Sequence, residues 1–145
     1  MKSIRRALTA VLVFGLVKPL AALAAWNKEA FSAKTPADAL KTFGIGNATP
    51  SKDLSIDAPQ IAENGAVVPI EISSAIPGTT ALLVVVDKNP FPLIARFDFK
   101  EGALPYVKVN LKMGETSDVR VLAEAGGKHY VATKEVKVTI GGCGG

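Results

Sequence analysis

The sequence is poor in the residues on which most site chemistry depends. It holds one cysteine and one histidine in 145 residues. A single Cys excludes an internal disulfide framework and any Cys-cluster metal site. A single His excludes ligation of a metal by a His pair. Long apolar runs are also missing. Ala7 to Val17 is an uncharged, mostly apolar run of 11 residues, and a membrane-spanning helix requires roughly 20. A basic surface is missing too, although the formal net charge is +4. Four of the 17 basic side chains, Lys2, Arg5, Arg6 and Lys18, fall in the first 25 residues, where there is no Asp or Glu. The other 120 residues carry 13 basic and 13 acidic side chains. Nucleic-acid binding needs a basic patch or stripe, so this balance argues against that function class.

What is present begins with a leader. Residues 1–25 read as an export signal: a positive start, the apolar run Ala7–Val17, then Ala22-Leu23-Ala24 as a small-x-small cleavage site. The adjacent Arg5 and Arg6 point to the twin-arginine route, with Ile4 and Leu8 as departures from its usual pattern. The expected location is therefore periplasmic, with no membrane segment left after cleavage. A retained amphipathic anchor is the alternative for this stretch.

Residues 26–50 are predicted to be an N-terminal helical segment. Trp26, Ala30 and Phe31 share a helical face, Thr35-Pro36 reads as an N-cap followed by Pro at the first helical position, and Gly44 reads as a stop. A flexible stretch is expected over residues 45–51. From residue 51 the apolar period changes from 3.6 to 2. Strand candidates centre on Leu54 and Ile56, Val68 to Ile72, Ala81 to Val86, Ala95 to Phe99, Val107 to Leu111, Val119 to Ala123, Tyr130 to Thr133 and Val136 to Ile140. Ala81–Val86 is continuously apolar, as in a strand buried on both faces. Pro69 places its strand at an edge or a bulge. Asn64-Gly65 and Gly126-Gly127 read as turns. About eight short strands at spacings near ten residues predict an all-β fold, an immunoglobulin-like antiparallel β-sandwich over 51–140 with short N-terminal helices.

The chain ends Gly141-Gly142-Cys143-Gly144-Gly145, with its only thiol between two glycine pairs. Glycine is the most permissive residue for the backbone, so residues 141–145 are expected to form a flexible arm. Three extended residues reach about 10 Å beyond the domain. No base, cation or metal ligand stands beside Cys143 in sequence, and a free thiol of pKa about 8.5 is only a few per cent thiolate at pH 7. Three readings follow. Cys143 is a covalent attachment point for cargo processed by other enzymes. It is a tail thiol that dimerises a structural β-sandwich module through a disulfide. Or it is a nucleophile, paired with His129, of a thiol-dependent sulfurtransferase.

Three blocks of residues carry a family resemblance. Val136-Lys137-Val138-Thr139-Ile140 followed by Gly-Gly-Cys-Gly-Gly resembles the C-terminus of the SoxY family of sulfur-oxidation carrier proteins. Ala58-Pro59-Gln60-Ile61-Ala62-Glu63-Asn64-Gly65 with Val68-Pro69, and Asn89-Pro90-Phe91-Pro92 with Ala95-Arg96-Phe97, are similar to two further family segments. The resemblance covers about residues 35–145. It implies an immunoglobulin-like sandwich and a substrate carrier of periplasmic thiosulfate oxidation rather than an enzyme. Cys143 is then the covalent attachment site and Gly141, Gly142, Gly144 and Gly145 give the arm its freedom. The implied partners are a SoxZ-like β protein in a heterodimer, with a disulfide-linked heterotetramer as a larger form. The c-type cytochrome conjugating enzyme SoxAX, the manganese-dependent sulfate-releasing hydrolase SoxB and a sulfane dehydrogenase act on the carrier. No cofactor or metal is implied in this chain.

Overall fold

The computed structural model describes residues 26–142. The leader expected over 1–25 and the terminal Cys143, Gly144 and Gly145 lie outside the described residues. Two short helices come first, α1 (Lys28–Ser32) and α2 (Pro36–Lys41). Their ends obey capping chemistry. Asn27 accepts from the Ala30 amide, and Thr35 accepts from the Asp38 amide with Pro36 in the first turn. Gly44 takes a φ of 71°, the left-handed value that glycine supplies cheaply beyond a helix end.

Nine strands follow: β1 (Thr49–Pro50), β2 (Leu54–Asp57), β3 (Ile61–Ala62), β4 (Val68–Ser74), β5 (Thr79–Val86), β6 (Leu93–Asp98), β7 (Tyr106–Leu111), β8 (Ser117–Ala125) and β9 (Lys128–Val138). They form two sheets. One runs β1-β9-β8-β5-β6, with β3 also paired to β9; the other runs β2-β4-β7. All of the longer pairings are antiparallel, as expected for a sandwich, whereas the two-residue strands β1 and β3 join β9 in parallel.

The apolar run of β5 explains the layering. Leu82, Val84 and Val86 face the other sheet and meet Ile70, Ile72 and Leu111 in the main core. Leu83 and Val85 face the opposite way, into a second cluster with Ala30, Ala39, Leu40 and Ile45. The helices therefore cover the outer face of the larger sheet, and β5 is buried on both sides because a layer lies on each. Trp26 does not join that cluster. It is exposed and stacks on Phe31 with ring centroids 4.3 Å apart.

Several expectations are corrected. The stretch 45–51 is not free: Ile45 is buried in the helix–sheet cluster and β1 pairs with β9 at Tyr130 and Val131. The last two strand candidates are one strand of 11 residues that ends at Val138, before Ile140. Pro69 lies in the middle strand of its sheet, not an edge strand. Its local setting is nonetheless an edge, because β2 pairs only with Glu71–Ser74 while β7 reaches along to Val68. A missing N–H costs no bond to β2 at that point.

Candidate functional site: the base of the cysteine arm

Of the five residues expected to form the arm, Gly141 and Gly142 are described, and they do not extend freely from the sandwich. They are seated between two loops. The Gly142 amide donates to the Met113 carbonyl at 2.9 Å, the Met113 amide donates to the Gly65 carbonyl at 2.7 Å, and the Gly65 amide donates to the Ile140 carbonyl at 2.7 Å. Three backbone strands of the chain are thus tied in a ring: the β3–β4 loop, the β7–β8 loop and the residues after β9.

The approach is so close that it excludes side chains. A β-carbon on Gly142 would lie 2.5 Å from Ala66 Cα and from the Gly65 carbonyl carbon, and closer still to the Ala66 nitrogen. A β-carbon on Gly141 would fall on the Gly114 carbonyl oxygen. One on Gly65 would fall on the Met113 oxygen, 2.8 Å from Val138 Cγ1 and 2.9 Å from the Gly142 nitrogen. Gly141 and Gly142 were expected to give the arm freedom; in this structure their lack of a side chain is also what lets backbones meet. Gly65, read from sequence as a turn residue, serves the same contact. The turn itself is made by Asn64, whose Oδ1 accepts from the Ala66 amide at 2.9 Å.

The ring is anchored on every side. Met113 has its side chain fully buried in the main core, so the residue whose backbone serves both Gly65 and Gly142 is fixed by packing. Its loop is gripped by Asn89 in the β5–β6 turn: Asn89 Nδ2 donates to the Lys112 carbonyl at 2.7 Å, and the Gly114 amide donates to Asn89 Oδ1 at 3.2 Å. The Val138 amide donates to Thr116 Oγ1 at 2.9 Å, the Thr139 amide to the Ala62 carbonyl at 3.1 Å, and Thr139 Oγ1 to the Glu63 carbonyl at 3.0 Å. All three segments that carried the family resemblance thus reach the arm's base, through residues 62–66, Asn89 and residues 138–142. Met113, Gly114, Thr116 and Asn89 were not singled out as functional residues by the sequence. Asn89 entered only as part of a family-resemblance block, without a role of its own, and Met113 gives no local signal.

Cys143 itself lies outside the described residues. His129 is at the other end of β9, nine residues before Val138, or about 30 Å at 3.3 Å per residue. There its Nε2 lies 3.9 Å from Glu124 Oε1. His129, the alternative partner read for Cys143, is thus held beside Glu124 at the end of β9 remote from Val138. Among the described residues there is no cluster of three or more His, Cys, Asp or Glu side chains able to hold a metal ion, and no helix long and apolar enough to cross a membrane.

A family model described as sulfur oxidation protein SoxY matches residues 40–143, a span that ends on the cysteine. Among solved structures, the sulfur carrier protein SoxY from Chlorobium limicola f. thiosulfatophilum is similar at 40% identity, over 70% of this chain and 92% of that one, with a TM-score of 0.64. A superoxide reductase (neelaredoxin) from Ignicoccus hospitalis is 18% identical over 72% of this chain and 92% of its own, TM-score 0.53, and shares the fold alone. Comparison with curated protein sequences gives no significant match. With the three resemblance segments joined at one site and more than half the chain matched, the protein belongs to the SoxY family of sulfur carriers.

Proposed function

We propose that Cys143 is the covalent attachment point for the sulfur intermediates of periplasmic thiosulfate oxidation. The observation that carries this is position. The only thiol of the chain is the last residue of the family match and the next residue after a seat built from three loops. A sulfur carrier needs one accessible thiol held at a defined place and needs no acid–base machinery of its own.

In this reading the thiol loses a proton, and thiosulfate's outer sulfur bonds to Sγ as two electrons leave to a c-type cytochrome enzyme of the SoxAX kind. The product is a cysteine S-thiosulfonate. Water then cleaves the terminal sulfonate as sulfate, on a manganese-dependent hydrolase of the SoxB kind, and leaves one sulfane sulfur on the cysteine as a persulfide. That sulfur passes to a sulfane dehydrogenase or to storage. The chain acts beside a SoxZ-like β partner, and residues 1–25 direct its export.

The test is intact mass of the protein taken from the periplasm of cells consuming thiosulfate, before and after reductant. Additions of about 112 and about 32 Da, lost on reduction, are the expected cargo states of a reversibly modified thiol. A bare or merely dimerised thiol while thiosulfate disappears overturns the proposal.

A further inference from the structure

We infer that Gly65, Gly141 and Gly142 form a close-packed seat that fixes the base of the arm between the β3–β4 and β7–β8 loops, so that the first two glycines of the terminal pentapeptide belong to the body of the domain. This rests on the carrier reading of Cys143 and adds to it a division of labour among the glycines.

The geometry carries the inference from both sides of the contact. On the arm side, Gly141 and Gly142 each lack room for a β-carbon, against Gly114 and against Gly65 and Ala66 respectively. On the body side, Gly65 lacks room against Met113, Val138 and Gly142. Gly65 has no positive φ, as Gly44, Gly78, Gly102, Gly126 and Gly127 do. Its backbone conformation is therefore open to other residues, and what demands glycine there is contact. Three glycines from two distant parts of the chain that exclude side chains at one junction are a packing device.

The consequence for reach is large. A tether freed from Ile140 onward places Cys143 three residues out, about 10 Å. With Gly142 hydrogen-bonded to Met113, only one peptide unit of about 3.8 Å lies between the seat and the Cys143 Cα. A seated base also removes a recurring cost. Ordering a residue's backbone costs conformational entropy, and a free arm loses that freedom at every enzyme it enters. Two residues held in place beforehand lower the cost of each visit by the preorganisation that favours any complex.

The experiment is amide hydrogen exchange followed by NMR on the full mature protein with a reduced thiol. It reads the seat without reference to any cargo, so its failure is distinct from failure of the carrier reading. In the unsubstituted protein the Gly142 amide is expected to exchange at least about tenfold more slowly than a random-coil glycine, as a hydrogen-bonded but peripheral amide does. Gly65→Ala leaves the Gly-Gly-Cys-Gly-Gly sequence untouched, yet should bring Gly142 to the random-coil rate while the β5 and β8 amides keep their protection. Gly142→Ala should release its own amide likewise. Random-coil exchange of Gly142 in the unsubstituted protein overturns the inference. So does a Gly65→Ala protein, with β5 and β8 intact, in which Gly142 stays protected. Should Gly65→Ala lose protection in β5 and β8 as well, Gly142→Ala and the unsubstituted protein decide by the same criteria.

Discussion

Asn89 is the side chain through which the arm's base is most open to perturbation from a distance. Asn89→Ala deletes one donor bond to the Lys112 carbonyl and one acceptor bond from the Gly114 amide. A net value of about 0.5–1.5 kcal/mol per bond gives about 1–3 kcal/mol for the pair. The Lys112 bond is exposed and water replaces much of it, so we expect about 1–2 kcal/mol. That is a factor of about 5–30 in the equilibrium that opens the loop. The loop carries Met113, whose carbonyl receives Gly142, so the opening should be read at Gly142, two hydrogen bonds away from the mutated side chain. The assay is amide exchange at Gly114, Met113 and Gly142, with thermal unfolding in parallel. Exchange at all three should accelerate by about 5–30-fold, and Tm should fall by no more than about 10 °C if the loss is fully global. Asn89→Asp keeps the acceptor for Gly114 but sets a carboxylate oxygen against the Lys112 carbonyl, so it should be no milder than the alanine variant. Acceleration at Gly114 with Gly142 unchanged would refute the reasoning, because the Asn89 clamp and the arm's base would then be energetically separate.

Other perturbations have equally definite outcomes. Cys143→Ser should abolish cargo masses while leaving the unfolding midpoint unchanged, since the residue follows the last hydrogen-bonded amide of the seat; a cargo mass on the Ser protein would move the attachment site elsewhere. Arg96 holds Glu124 through two bonds of 2.8 and 2.9 Å and lies over the Phe43 ring, and both partner side chains are mostly buried. Glu124→Ala should therefore cost about 2–3 kcal/mol, between the values for exposed and buried pairs, read from urea unfolding with the m-value unchanged; a cost below about 1 kcal/mol would show that Asp98 suffices as partner. The Glu71 carboxyl is held below its ordinary value of 4.5 by the hydrogen bond from Lys108, then by that from Tyr106. A carboxylate with a depressed folded pKa stabilises above its unfolded pKa and loses that contribution as pH falls through the folded one. The stability difference between the unsubstituted protein and Glu71→Gln should thus be present at pH 6 and shrink steadily below about 4.5; a difference constant from pH 6 to pH 2 would show that the carboxylate's charge contributes nothing.

The division between what was legible in the sequence and what was not follows the range of the interactions. Thr35-Pro36 and Gly44 specify the ends of α2 through neighbours within a turn, and Gly126-Gly127 specifies its hairpin through φ values of 57° and 72°. Ala81–Val86 announces burial on both faces because all of its own side chains are apolar. The errors fall where a residue's meaning depends on a distant partner. β9 looked like two strands because Lys134 interrupts the apolar face formed by Tyr130, Ala132, Val136 and Val138; the ladder with β8 runs through it regardless. β1 and β3 are two residues each and exist only because β9 is there to pair with.

The glycines of the site are the sharpest case, because one residue type answers two opposite needs. A glycine that must bend and a glycine that must be touched look the same in sequence, and only the surface that meets it tells them apart. For Gly141 and Gly142 that surface comes from residues 65–66 and 113–114, far away along the chain. Gly144 and Gly145 follow the cysteine in sequence. The two halves of Gly-Gly-Cys-Gly-Gly therefore stand under different constraints. A bulky residue before the cysteine acts first on the arm's attachment to the sandwich, and one after it acts first on entry into an enzyme. Gly142→Ala and Gly144→Ala should accordingly separate in one experiment: the first should speed amide exchange at position 142 and at Gly65. The second should leave Gly142 exchange unchanged and lower only the rate of enzymatic cargo loading. Equal effects of the two variants on both readouts would mean that the pentapeptide behaves as a single uniform tether.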